Sequence, residues 1–221
     1  DLTSELGILS ETIPGITLDT DSELIPYAGS LSSVFATNDP DDYREGTFSI
    51  RTNINVAADD YAGWAIKWWP GLSAVVKDMS NFYDGSLRFW FKGEPDLDKK
   101  VIIGIRSSNV SAGAEKSKVW LHNYNAPCDN HWHPVTIPIR HFTGTLDRAD
   151  LSRIKDLFNV AISSNTGGAK TFYIDNLRWD TRIPGALDRI TVSPAEVSIP
   201  KNLKQNFIAQ GLDSNLSLIH I

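Results

Sequence analysis

The chain has 221 residues, enough for one full domain and part of a second. Hydrophobic residues make up 41% and charged residues 22%, the balance of ordinary globular material, and no run of about 18 apolar residues offers a membrane span. The formal net charge of −6 disfavours non-specific nucleic-acid binding, and the single cysteine, Cys128, excludes an internal disulfide and a zinc knuckle of several thiolates.

Residues 1–13 show no clear periodicity and read as a leader or linker. From Ile16 short β-rich runs alternate with turn clusters. The runs are Thr47–Val56, Gly63–Trp69, Leu87–Lys92, Val101–Arg106, Lys118–Tyr124, His133–Ile139, Asn159–Ser163 and Thr171–Trp179. Between them stand turn formers such as Asn38-Asp39-Pro40-Asp41, Tyr83-Asp84-Gly85 and Asn165-Thr166-Gly167-Gly168. Short strands at this spacing predict an all-β fold, a β-sandwich of the jelly-roll type. One helix is expected, over Asp147–Phe158, where Leu151, Ile154, Leu157 and Phe158 keep helical spacing. A linker follows at 181–188. Residues 189–221 restart a strand pattern around Pro194 and Pro200 and read as an incomplete immunoglobulin-like segment, so the chain is expected to be a fragment of a longer protein.

Successive strand side chains point to opposite faces. Leu87, Phe89 and Phe91 then belong to a core, as do Val101, Ile103 and Ile105, Val119 and Leu121, and Trp64, Ile66 and Trp68. The opposite parity collects Arg88, Trp90 and Lys92, then Arg106, then Trp120, His122 and Tyr124, with Trp69 beside them. Read as one surface, these residues suit a sugar. Flat aromatic rings lie against the C–H face of a pyranose, and Arg, Lys and His bond its hydroxyl belt from a rigid sheet. The plainer reading is that Trp90 and Trp120 are covered by a loop or a second module.

Carboxylates gather at Asp19, Asp21, Glu23, Asp39, Asp41, Asp42 and Glu45, and Asp175 stands alone between apolar neighbours. If the first and last strands pair, Asp175 meets an early acid, and an oxygen-only site favours calcium. The plainer reading of the early acids is a solvated loop. His131 and His133 flank Trp132 at the spacing of a two-histidine metal pair, but the carboxylate that cupin-type enzymes add is missing, so Trp132 is expected to plug the core between surface histidines. No nucleophile elbow, phosphate loop, zinc-protease motif or dinucleotide turn occurs.

Four segments form an ordered series: Glu45–Arg51 (EGTFSIR), Leu87–Gly93 (LRFWFKG), His131–Ile139 (HWHPVTIPI) and Phe172–Trp179 (FYIDNLRW). Over residues 14–180 the series resembles the galactose-binding-like β-jelly-roll carbohydrate-binding modules attached to secreted bacterial polysaccharide-degrading enzymes. That resemblance implies a non-catalytic, extracellular, monomeric module that holds a polysaccharide, here a neutral β-glucan type, and tethers an attached catalytic domain to it. The cations Arg88, Lys92 and Arg106 keep an acidic glycan open. The resemblance also implies a structural calcium near the first and last strands, with Asp19, Asp21, Glu45 and Asp175 as its candidate ligands. Ile190-Thr191-Val192-Ser193-Pro194 resembles the start of a bacterial immunoglobulin-like domain. Two other readings stand beside this one: a jelly-roll lyase or glycosidase using His122 and Arg106, and a protein-interaction domain of a cell-surface assembly.

Overall fold

Alternation of apolar and polar side chains, the pattern that lets a strand bury one face, governs most of the chain. The structure, a computed structural model, describes residues 5–7, 22–68, 76–108, 117–143, 149–181, 189–193, 208–212 and 218–219. Residues 1–181 form one compact unit and 182–221 another.

The strands of the larger unit are, in chain order, β1 (Glu5–Gly7), β2 (Ser22–Ala28), β3 (Ser33–Asp39), β4 (Ser49–Asn55), β5 (Ala62–Trp68), β6 (Ser86–Gly93), β7 (Val101–Ser107), β8 (Lys118–Trp120), β9 (His133–Pro138), β10 (Ile154–Ile162) and β11 (Lys170–Asp180). They make two antiparallel sheets. The first runs β3-β4-β11-β6-β9 with β1 added to β11, and the second runs β2-β5-β10-β7-β8. The smaller unit is an antiparallel sheet of β12 (Arg189–Ser193), β13 (Ile208–Leu212) and β14 (Leu218–Ile219).

The sheets face each other across one buried apolar cluster. Phe89 of β6 meets Phe158 of β10 edge to face at 5.4 Å between ring centroids, and Trp64 of β5 packs on the same Phe158 at 5.4 Å. Two buried indoles also bond across the layers. Trp64 Nε1 donates to Thr52 Oγ1 at 2.9 Å, and Trp179 Nε1 donates to the Leu157 carbonyl at 3.0 Å. Each such bond is worth about 1 kcal/mol net, and losing its partner costs more because the N–H is sealed from water. Most of the inward set expected from parity is found: Leu87, Phe89, Phe91, Val101, Ile103, Ile105, Leu121, Trp64, Ile66 and Trp68 are all buried, and Val119 is half-buried against the core.

Four expectations are corrected. Part of the presumed leader is a strand, since β1 pairs with the end of β11 through Glu5–Asp180. The expected helix over Asp147–Phe158 is a single 3-10 turn at Leu151–Arg153 running straight into β10. The register of β10 slips against both neighbours around Asp156, so inward residues fall three apart and imitate a helix. The run Lys118–Tyr124 is extended only to Trp120 and then coils into a 3-10 turn, Leu121–Tyr124. Trp132 does not plug the core; it is half-buried on the outer side of the first sheet, donating to Asp42.

Candidate functional site

Each sheet turns one face away from the core, and the two outward faces differ in chemistry. On the first sheet, β6 presents Arg88, Trp90 and Lys92. Register sets Tyr173 beside both Arg51 and Lys92, and Asp175 beside Trp90. The segment after β3 folds over these side chains. Trp90 Nε1 donates to Glu45 Oε1 at 2.7 Å, and the Arg44 guanidinium lies 4.7 Å from the centre of the Trp90 ring. Trp132 Nε1 donates to Asp42 Oδ1 at 3.1 Å, while Lys92 Nζ bonds Asp42 Oδ2 at 2.6 Å and sits 5.3 Å from the Tyr173 ring centre. Arg88 pairs with Asp180 at 3.4 Å. Both indole N–H groups and the β6 cations are therefore already engaged within the chain.

The second sheet's outward face is built in cross-strand rows. Cα register links Tyr27 to Gly63, Gly63 to Ala161, Ala161 to Ile102 and Ile102 to Trp120. This row crosses all five strands, four spacings or about 19 Å. Its ends are aromatic, and between them stand Gly63, Ala161 and the half-buried Ile102. The next row reads Ile25, Ala65, Asn159, Gly104, Lys118, and a third reads Glu23, Lys67, Asp156, Arg106. Ala65 and Ala161 are buried yet lie outside the core cluster, as expected for short side chains set low between taller neighbours. The result is a trough with a small-residue floor.

The walls offer both chemistries a glycan needs. Trp120 is 41% exposed and Tyr61, just before β5, is 51% exposed. Tyr61 lies against Tyr27 at 6.2 Å between ring centroids, and Trp120 against His122 at 6.1 Å. Tyr27 Oη donates to Asn159 Oδ1 at 2.8 Å, which leaves the Asn159 amide N–H groups as donors. Burial pushes the Tyr27 phenol up to about 12, so it stays a neutral donor. Arg106 is forked onto Asp156, with Nε 2.7 Å from Oδ2 and Nη2 3.2 Å from Oδ1.

The surface expected from sequence as a single patch thus divides. Arg88, Trp90 and Lys92 stand on the first sheet; Arg106 and Trp120 stand on the second. The physical reason is connectivity: β6 and β7 are consecutive in sequence, but in a sandwich the chain crosses between layers there. His122 stays near Trp120 through the 3-10 turn, whereas Tyr124 packs toward the core and shares a 2.7 Å hydrogen bond with His141 Nδ1. Trp69 lies outside the described residues. Sequence reasoning missed Tyr27, Tyr61, Asn159 and Asp156; a Tyr and an Ile at alternate positions of Ser22–Ala28 were the available signal for the first.

The expected calcium ligands divide as well. Asp19 and Asp21 lie outside the described residues. Asp175 is 3% exposed, and its Oδ2 accepts the backbone N–H groups of Arg44 and Glu45 at 2.7 and 2.8 Å. Its Oδ1 accepts the N–H of Asn176 at 2.6 Å. Glu45 faces Trp90 Nε1 and the Asn176 amide. Among the described residues no group of three or more acidic, His or Cys side chains could hold a metal ion.

A family model described as carbohydrate binding domain 30 matches residues 17–181. Among solved structures, a family 30 carbohydrate-binding module is similar at TM-score 0.58 and 14% identity, over 79% of this chain and 97% of that one. The family 30 module of a cellulosomal cellulase of Clostridium thermocellum is similar at TM-score 0.55 and 16% identity, over 79% and 96%. A family 11 module from Clostridium thermocellum, solved with a β-1,3-1,4-mixed-linked tetrasaccharide, is similar at TM-score 0.52 and 14% identity, over 72% and 89%. No curated protein matches the chain.

Proposed function

Because the chain belongs to the carbohydrate binding domain 30 family, it is a non-catalytic carbohydrate-binding module, and we propose that it holds a neutral β-glucan in the trough of the second sheet. The observation that supports this site is the row Tyr27, Gly63, Ala161, Ile102, Trp120. A sugar chain laid along it finds an aromatic platform at each end, with Gly63, Ala161 and the half-buried Ile102 between.

Tyr27 and Tyr61 stack on pyranose faces at one end and Trp120 at the other, each contact worth about 1 kcal/mol. Asn159, His122 and Arg106 bond hydroxyl groups between and beside them. The platforms sit on a rigid sheet, so little ordering opposes binding, and an affinity of about micromolar to millimolar follows for a shallow, wet trough. The likeness to a family 11 module solved with a mixed-linked glucan fragment supports the choice of β-glucan as first ligand. In a longer secreted protein, a monomeric module of this kind keeps an attached catalytic domain on its substrate.

Affinity gels with mixed-linkage β-glucan test the site. Trp120→Ala and Tyr61→Ala each lose about tenfold in retention at unchanged melting temperature, since a lost stack and its hydrogen bonds amount to about 1.4 kcal/mol. Trp90→Ala, on the other sheet, keeps wild-type retention. Full retention by both trough variants, or loss by Trp90→Ala alone, moves the site to the first sheet.

A further inference from the structure

The third row of the trough is charged, and its charges alternate. Glu23, Lys67, Asp156 and Arg106 are successive cross-strand neighbours. Asp156 is the unusual member. Its side chain is only 3% exposed, although it points to the outward face and away from the apolar cluster. The slipped register of β10 puts it there: Asp156 pairs with Lys67, but Phe158 pairs with Ile66, so one extra residue is accommodated between them. A buried carboxylate in that place is tolerated because Arg106, 21% exposed, closes on it with two nitrogens.

The pair has a consequence for ligand choice. Arg106 has more N–H donors than the two nitrogens facing Asp156 use, but its charge is offset by a carboxylate that water screens little. A neutral glycan loses nothing by this. A polyuronate gains no net attraction from Arg106 and meets a fixed negative charge directly behind it. We infer that Asp156 determines specificity in the trough, turning Arg106 from an anion receptor into a neutral hydrogen-bond donor and so excluding acidic polysaccharides. The inference rests on the second-sheet trough being the glycan site.

Asp156→Asn tests it, because the amide keeps the shape and one acceptor while removing the charge. Wild-type protein is retarded by mixed-linkage β-glucan and not by polygalacturonate. Asp156→Asn gains polygalacturonate retention by about fivefold to tenfold at low salt, the range for a partly buried ion pair, and loses that gain at high salt. Its retention on β-glucan stays within about threefold of wild type, since Arg106 still bonds hydroxyls. The double variant Asp156→Asn/Arg106→Gln loses the polygalacturonate gain. Should Asp156→Asn melt below the assay temperature, Asp156→Thr, with a β-branched side chain suited to a strand, carries the same test. Wild-type binding to polygalacturonate overturns the inference, and so does a folded Asp156 variant without the gain. Failure of wild type and Trp120→Ala to differ on β-glucan instead overturns the choice of trough, so the two failures are separable.

Discussion

Asp175 shows how one side chain can organise a surface through backbone N–H groups far away in sequence. It stands at a slip in β11, where Asp175 pairs with Trp90 but Arg178 pairs with Arg88, and Asn176 takes φ 46° to absorb the extra residue. Asn is among the residues that enter this left-handed region at least cost. Asp175 then accepts N–H groups from Arg44 and Glu45, some 130 residues away in sequence, and this brings Arg44 over Trp90. Charge-assisted bonds of this kind contribute about 1.5–3 kcal/mol each. Asp175→Ala therefore lowers unfolding free energy by about 2–4 kcal/mol in urea titration, with the segment 40–47 losing amide-exchange protection. Chelator leaves the wild-type melting temperature unchanged, because backbone donors already occupy the carboxylate. A drop with chelator that calcium reverses, absent from Asp175→Ala, establishes the calcium site instead. The importance of Asp175 was legible in sequence as a lone acid among apolar strand neighbours. Its partners were not, because backbone N–H groups have no sequence signature.

Among the elements, β6 and β7 are legible in the sequence because their alternation runs unbroken, as Leu87, Phe89, Phe91 and as Val101, Ile103, Ile105. The first half of β10 imitates a helix because two slips put Ile154, Leu157 and Phe158 at helical spacing, whereas its second half is legible as the run Asn159–Ser163. The trough was only half legible for a related reason. Strand parity says which residues share a face of one strand, but the register that joins Tyr27 to Trp120 across five strands depends on tertiary pairing. The glycines of that face separate in kind. An added Cβ at Gly63 would come within 2.1 Å of the Val160 carbonyl oxygen, a backbone atom of the adjoining strand. At Gly104 it would meet Lys118 Cγ, part of a flexible side chain, at 3.1 Å and the Ser117 carbonyl oxygen at 3.2 Å, a far milder approach than at Gly63. Gly63→Ala must push β5 from β10 and costs about 1–3 kcal/mol, whereas Gly104→Ala costs under about 1 kcal/mol. Urea midpoints at constant m-value measure both, and equal costs would mean that the β5–β10 spacing yields freely.

At the scale of the whole molecule, the all-β sandwich was legible from composition and turn spacing, while the assignment of strands to sheets was not, since connectivity across layers leaves no local pattern. The closed core has a further consequence at alkaline pH. Cys128 is buried beside Gly93, and burial, with the nearby charges of Asp98 and Asp129 adding to it, pushes its thiol up to about 12. Tyr27 is also pushed up to about 12, by burial, and Tyr124 and Tyr173 are raised by the same cause. In each case the folded state holds its proton after the unfolded chain has released it. The stabilisation is complete below the unfolded pKa and is lost as pH rises through the folded one. The loss therefore begins near pH 9, where the unfolded thiol ionises, and steepens above pH 10, where the unfolded phenols follow. One fully shifted group changes unfolding free energy by at most about 1.4 kcal/mol per pH unit. Urea titrations from pH 8 to 11 then show a two-step decline, and Cys128→Ala removes the first step, staying level to pH 10. Superimposable curves for wild type and Cys128→Ala would show that the thiol titrates alike in both states. Over the same range β-glucan retention by the still-folded protein stays constant, because Tyr27 remains a phenol and its bond to Asn159 keeps the amide donors of the trough in place.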